Sequence, residues 1–126
     1  RFVLTLEDPA RFANTRSVGS YLGLVPRKRS SGDANPQLRI TKAGDGGMRQ
    51  LLVLAACYIL GPFGPDCDLR RFGFKLIGPG TDKRAKKRAR VAVARKLAVL
   101  MLHLWRTGEA YDPLHLAKKL GEPLAV

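Results

Sequence analysis

The longest stretch of this chain without a proline or glycine runs from Thr81 to Thr107, and it changes character halfway along. Its first part carries Lys83, Arg84, Lys86, Lys87, Arg88, Arg90, Arg95 and Lys96 with no acid among them, whereas Leu97 to Leu104 is apolar. Gly78-Pro79-Gly80 breaks the chain before it, and Thr81 or Asp82 is placed to cap a helix. A helix of this kind has one end on the surface and the other in the core.

The remaining elements are shorter. Phe2 to Leu6 reads as the end of an element begun upstream, stopped by Asp8-Pro9. Asn14 or Thr15 can cap a short helix to about Leu22, with Val18, Tyr21 and Leu22 on one face. Gly23 ends it, and Pro26 keeps the chain out of helix. Residues 26–37 form a polar loop, and Leu38 to Thr41 a short extended piece. Asp45 is placed to cap a helix from about Gly46 to Leu60, whose Leu51, Leu52, Ala55, Ala56 and Ile59 make a buried stripe. A helix from about Asp66 to Leu76 should turn Leu69, Phe72 and Leu76 inward. Asp112-Pro113 starts a last helix ending at Gly121. No alternating strand pattern appears. The expected fold is mostly α: a single domain of about five helices, with a basic loop after the first full helix and one long basic-to-apolar helix.

The 126 residues carry a formal charge of +13, with 45% hydrophobic residues. That composition supports a core and excludes wholesale disorder. A charge this large calls for an anionic partner: nucleic acid, an anionic membrane or an acidic protein. Residues 1–50 hold nine Lys/Arg against four Asp/Glu, and residues 51–100 hold eleven against three. The last 26 residues are balanced. No apolar run approaches the roughly 18 residues of a membrane span, and no signal peptide is visible, so a cytoplasmic, nucleoid-associated protein is expected. Cys57 and Cys67 do not form a CxxC pair and lie near no Cys/His cluster, so no zinc site is expected. Cys57 reads as a small core residue. Because the chain opens on Arg1 within an apolar segment, we read it as a piece whose upstream part is missing.

Three features carry chemistry. Pro26-Arg27-Lys28-Arg29-Ser30-Ser31-Gly32 sets three cations beside two hydroxyls. Guanidinium forks and hydroxyls suit phosphate oxygens, and a serine there could attack phosphorus while the cations stabilise the developing charge. The residues alone favour a solvated loop, with phosphate binding next and a nucleophilic serine last, because no general base is near in sequence. Arg39-Ile40-Thr41-Lys42-Ala43-Gly44, followed by Arg49, sits at a helix entry, where anions are favoured; it is either a phosphate contact or plain surface. The Lys83–Lys96 run repels itself unless a polyanion offsets it, the alternative being a solvated face. Either Arg95 or Lys96 could instead order a buried polar group. His103, His115, Trp105, Tyr21 and Tyr111 carry no specific signal. No acidic pair suggests a two-metal nuclease within this chain.

The ordered set resembles one family. It comprises Asp8-Pro9-Ala10-Arg11-Phe12, Tyr21-Leu22-Gly23-Leu24-Val25-Pro26-Arg27, Ser30-Ser31-Gly32, Arg39 to Asp45 and Arg49-Gln50-Leu51-Leu52. Arg90 to Ala98 and the Trp105-Arg106 to Tyr111-Asp112-Pro113 ending complete it. By these residues the chain resembles the IS110 group of insertion-sequence transposases, also called DEDD transposases or bridge-RNA-guided recombinases. The likeness covers about residues 8–113. It departs at Asp33 to Leu38, where the family carries cations and a glycine, and at Gly46-Gly47.

The resemblance implies a C-terminal, mostly helical transposase domain working with an upstream RuvC-like domain whose acids hold magnesium. No cofactor or metal ligand is expected in residues 1–126. It makes Ser31 the recombination nucleophile, with Ser30 as the second choice. It also implies donor and target DNA, a guide RNA and a homo-oligomer as partners, with no membrane. Arg27, Lys28, Arg29, Arg39, Thr41, Lys42 and Arg49 would then position phosphates, and Lys83, Arg84, Lys87, Arg88 and Arg95 would track a nucleic-acid backbone. Two rival readings use the same charge: a non-catalytic module binding DNA or structured RNA, and a ribosome- or RNA-associated structural protein.

Overall fold

A computed structural model describes residues 1–12, 14–25, 40–42, 44–80 and 82–123. The long helix, Lys83–Thr107, is the element on which most of the others pack. Numbered in chain order, the helices are α1 (Phe2–Leu6), α2 (Ser17–Tyr21), α3 (Gly46–Leu60), α4 (Asp68–Ile77), α5 (Lys83–Thr107) and α6 (His115–Leu120), with a 3-10 turn at Pro9–Arg11. Among the described residues there is no strand, so the domain is mostly α as expected.

Local chemistry sets the ends of the two main helices. The Asp45 carboxylate accepts from the Met48 N–H at 3.2 Å, and Asp82 accepts from the Arg84 N–H at 3.0 Å, each satisfying a donor with no partner inside its helix. Gly108, with φ 72°, ends α5 by donating to the Leu104 carbonyl at 2.9 Å. α4 is capped by sulfur: Cys67 Sγ accepts from the Arg70 N–H at 3.4 Å. Arg70 then gathers the last carbonyls of α3, donating to Ile59 and Gly61.

The buried face of α5 is Ala89, Val93, Ala94, Ala98 and Leu102, with three alanines that let neighbouring helices come close. α4 answers with Gly73, where an added methyl would lie 2.9 Å from Val93 Cγ2 and would collide with Leu60. Leu6, Leu22, Leu24 and Val18 fill the opposite side and are fully buried. Each such leucine contributes about 1.5–3 kcal/mol by leaving water.

Several local expectations are corrected. Leu51 is 46% exposed and Leu76 48% exposed, although both were placed inward. Met48 and Leu52 carry the buried stripe of α3 with Ala56, while Gly73 faces inward on α4. α3 is apolar on most sides, so its inward face is set by its neighbours rather than by its own pattern. Tyr21 stands at the surface, edge-on to Phe12 with ring centres 5.5 Å apart. α2 begins at Ser17 without a side-chain cap. Asn14 instead closes a turn just before it, accepting from the Arg16 N–H at 3.0 Å. Cys57 is only half-buried, and Cys67 is the buried cysteine. α4 and α6 start at Asp68 and His115, later than Asp66 and Asp112-Pro113. Trp105 packs against the core cluster.

Candidate nucleic-acid interface

The site residues divide at the described boundary. Arg27, Lys28, Arg29, Ser30, Ser31 and Arg39 lie outside the described residues. The stretches on either side of segment 26–39 are described, and they meet. Thr41 donates its N–H to the Val25 carbonyl at 3.0 Å, and Lys42 donates to Gly23 at 3.2 Å. Three left-handed backbone positions shape this junction: Gly23 at φ 71°, Lys42 at φ 55° and Gly44 at φ 75°. A side chain at Gly44 would run into the Tyr21 carbonyl, so the approach of the two stretches requires glycine. Arg49 adds a third tie, donating Nη1 to the Leu22 carbonyl at 3.2 Å. Thr41, Lys42 and Arg49 thus stand together where segment 26–39 leaves and rejoins the described fold.

Asp45 locks that junction to α1. Its carboxylate takes Arg1 at 2.7 Å and the Thr5 hydroxyl at 3.2 Å while capping α3. The Arg1 hydrogen bond first, then the Met48 N–H, hold the carboxyl at about 2, below its ordinary 3.8.

The second group is the start of α5. Ala89 is the first buried residue of that helix, and of the preceding Lys83 to Arg88, about 9 Å of helix, all but the half-buried Ala85 and Lys86 are exposed. Lys83, Arg84, Lys87 and Arg90 are exposed, and among the described residues none of them pairs with a carboxylate. Arg88 also points outward and donates to the Arg84 carbonyl at 3.4 Å. Cations at a helix N-terminus oppose the peptide dipole, and the Asp82 cap counters them.

Arg95 joins the two groups. A methyl on Gly19 would lie 2.9 Å from Arg95 Cγ and 3.6 Å from Val25 Cγ1, so the stem of Arg95 crosses α2 beside the junction. Lys96 turns the other way, its ammonium 3.8 Å from the centre of the Phe72 ring. From Arg95 a groove of about 800 Å³ runs along α5 to His103, lined also by Arg16 just before α2 and by Tyr111 and His115. Burial first, then Cys67 and the carboxylates of Asp68 and Asp112, push the Tyr111 hydroxyl above its ordinary value. Sequence reasoning missed Arg16 and this groove, because the wall is assembled from segments far apart in the chain. Among the described residues no group of three His, Cys, Asp or Glu side chains is placed to hold a metal ion, and no helix is long and apolar enough to cross a membrane.

Comparison with known proteins places this geometry. A family model described as the transposase IS116/IS110/IS902 family matches residues 1–65. The chain is 44% identical over 55 residues to the putative transposase y4qE of Sinorhizobium fredii, a match covering 44% of this chain and 14% of that protein. It is 32% identical over 104 residues to the transposase for insertion sequence element IS1111A of Coxiella burnetii, covering 82% of this chain and 28% of that one. It is 34% identical over 104 residues to the putative transposase y4pF/y4sB of Sinorhizobium fredii, covering 82% and 26% respectively. The chain therefore spans well under a third of the length of these relatives. No solved structure matches it.

Proposed function

The chain belongs to the IS116/IS110/IS902 family of transposases, and from that premise we propose that it is the DNA-binding, serine-bearing part of an enzyme that cuts and rejoins DNA. In this reading the Ser31 oxygen attacks a DNA phosphodiester. The leaving strand departs as a free hydroxyl, taking up the proton that serine loses. The phosphoserine ester keeps the energy of the broken bond, so attack by a second strand's hydroxyl frees the serine and joins the strands without a nucleotide cofactor. Arg27, Lys28, Arg29, Arg39, Lys42 and Arg49 hold phosphates around that bond, and α5 follows the backbone of the same nucleic acid.

One observation supports this reading: Val25 and Thr41, which bracket Ser31 in sequence, are joined by a backbone hydrogen bond, and the stem of Arg95 lies beside Val25 across Gly19. Positively charged groups there would stabilise charge growing on the phosphoryl oxygens. In this reading magnesium would be held by the acids of a RuvC-like domain of the same enzyme, and no step here is routed through it. A guide RNA and assembly of several copies belong to the same proposal.

The test is strand exchange by the full-length transposase carrying Ser31→Ala, with Ser30→Ala beside it. Loss of exchange and of the covalent protein–DNA species, with DNA affinity retained, is the expected result for Ser31. Undiminished exchange would sink the nucleophile assignment. The exposed start of α5 also supports a second reading, a binding module without chemistry. In that case Ser31→Ala is silent, while charge reversal at Lys83, Arg84, Lys87 and Arg90 abolishes binding.

A further inference from the structure

The groove along α5 has a composition that the strand-cutting reading leaves unused. Its wall is apolar where Val99, Leu100 and Leu104 line it. Its acids are all engaged within the fold. Asp68 accepts from the Leu116 and Ala117 N–H groups, Glu109 lies 3.5 Å from His103, and Asp112 accepts from the Leu114 N–H and Lys118. The guanidinium groups of Arg16 and Arg95 have no carboxylate partner among the described residues. Tyr111 also lines the groove and is 53% exposed.

A lining that combines an apolar strip, an aromatic ring and guanidinium groups without a carboxylate partner among the described residues suits a ligand that is flat at one end and anionic at the other. Proteins that hold unpaired strands combine these parts: cations for the backbone and a ring for the base. A volume of about 800 Å³ lies in the range of small-ligand sites, roughly 300–1,000 Å³, and is too small for a duplex. The groove opens beside Val25, at the junction that brackets Ser31 in sequence.

We infer that this groove holds one unpaired nucleotide of the DNA strand, its phosphate on Arg95 and Arg16 and its base against Tyr111. The inference rests on the transposase reading and adds to it a step: the strand is opened next to the cut, and one base is parked along α5. An unstacked base costs least where the duplex is already open, so the groove favours junctions and frayed ends over intact duplex.

The test titrates the full chain onto single-stranded DNA carrying 2-aminopurine, reading emission and affinity together across salt concentrations. The wild-type chain changes the probe's emission on binding. Tyr111→Ala removes that change and weakens binding about tenfold. It leaves the slope of log affinity against log salt unaltered, because the ring carries no charge. Tyr111→Phe keeps both properties. Arg95→Gln lowers the slope by about 0.7. Because Tyr111 is half-exposed, neither substitution at that position opens the core. An emission change that survives Tyr111→Ala overturns the inference while the nucleic-acid reading stands, and so does a Tyr111-dependent signal seen with RNA but not with DNA. A wild-type chain that binds no DNA at any salt overturns both together.

Discussion

Asp68, the first residue of α4, holds the start of a different helix: its carboxylate accepts from the Leu116 N–H at 2.7 Å and the Ala117 N–H at 3.0 Å, at the head of α6. The main chain reinforces the tie, because the Asp68 N–H donates to the Pro113 carbonyl at 2.7 Å. At the other end of α6, Arg71 bridges Asp66 at 2.8 Å and Glu122 at 3.3 Å. α6 is therefore hung from α4 at both ends, with only Ala117 of its own residues buried.

Asp68→Ala should thus destabilise the fold by about 1 kcal/mol, the usual cost of losing a capping side chain. Asp112→Ala removes a weaker set, one N–H at 3.2 Å and Lys118 at 3.3 Å, and should cost less. Urea unfolding of both variants decides the matter. If Asp112→Ala proves the more costly, the cap of α6 has been assigned to the wrong carboxylate.

Acid should loosen the junction between α1 and α3 late. The Asp45 carboxyl titrates at about 2 in the fold, against an ordinary 3.8. Its folded value is depressed, so its contribution to stability is fully present above about pH 4 and is lost as pH falls through about 2. Asp45→Asn should lower the thermal midpoint at neutral pH and leave it nearly unchanged at pH 2 and below. Midpoints measured from pH 6 to pH 1.5 for both proteins should converge at the acid end; parallel curves would remove Asp45 from the acid response.

Neutralising the start of α5 should move stability and binding in opposite directions. Lys83 and Lys87 stand four residues apart, a spacing at which like charges repel by a few tenths of a kcal/mol. Alanine at Lys83, Arg84, Lys87 and Arg90 should therefore raise the thermal midpoint slightly. The same changes should reduce the salt slope of duplex DNA binding by about 0.9 for each cation that meets a phosphate. Binding with an unaltered slope would make this face a solvated surface and nothing more.

What could be read in the sequence was local. Asp45 and Gly61 bound α3, and Asp82 and Gly108 bound α5, because capping acts within a few residues. The change of α5 from basic to apolar likewise foretold which end is exposed. What could not be read depends on partners distant in the chain. The cap of α6 comes from Asp68 across 48 residues. Leu51 was expected inward, yet α3 offers Met48, Leu51, Leu52 and Leu54 to choose among, and only docking against α5 selects Met48 and Leu52. The cations of the candidate site were legible as charge. The placement of Arg95 beside Val25 was not, since it depends on Gly19 of α2 admitting the stem of Arg95. Ser30, Ser31 and the neighbouring cations rest on the family resemblance, as they lie outside the described residues.

The poorly matched beginning of α5 carries one more consequence. Its peptide dipole invites negative charge, yet its first turns carry cations, so the free helix end is wound against its own field. A strand of phosphates laid there would relieve the strain, and linkage makes the effect mutual: whatever tightens the turn also tightens the grip on the strand. Asp82, an acid at the rim of a surface suited to an acidic polymer, would by simple charge counting repel it. By winding the turn that presents the cations, it works instead as their ally, and a chain without it would be more positive and yet bind less well.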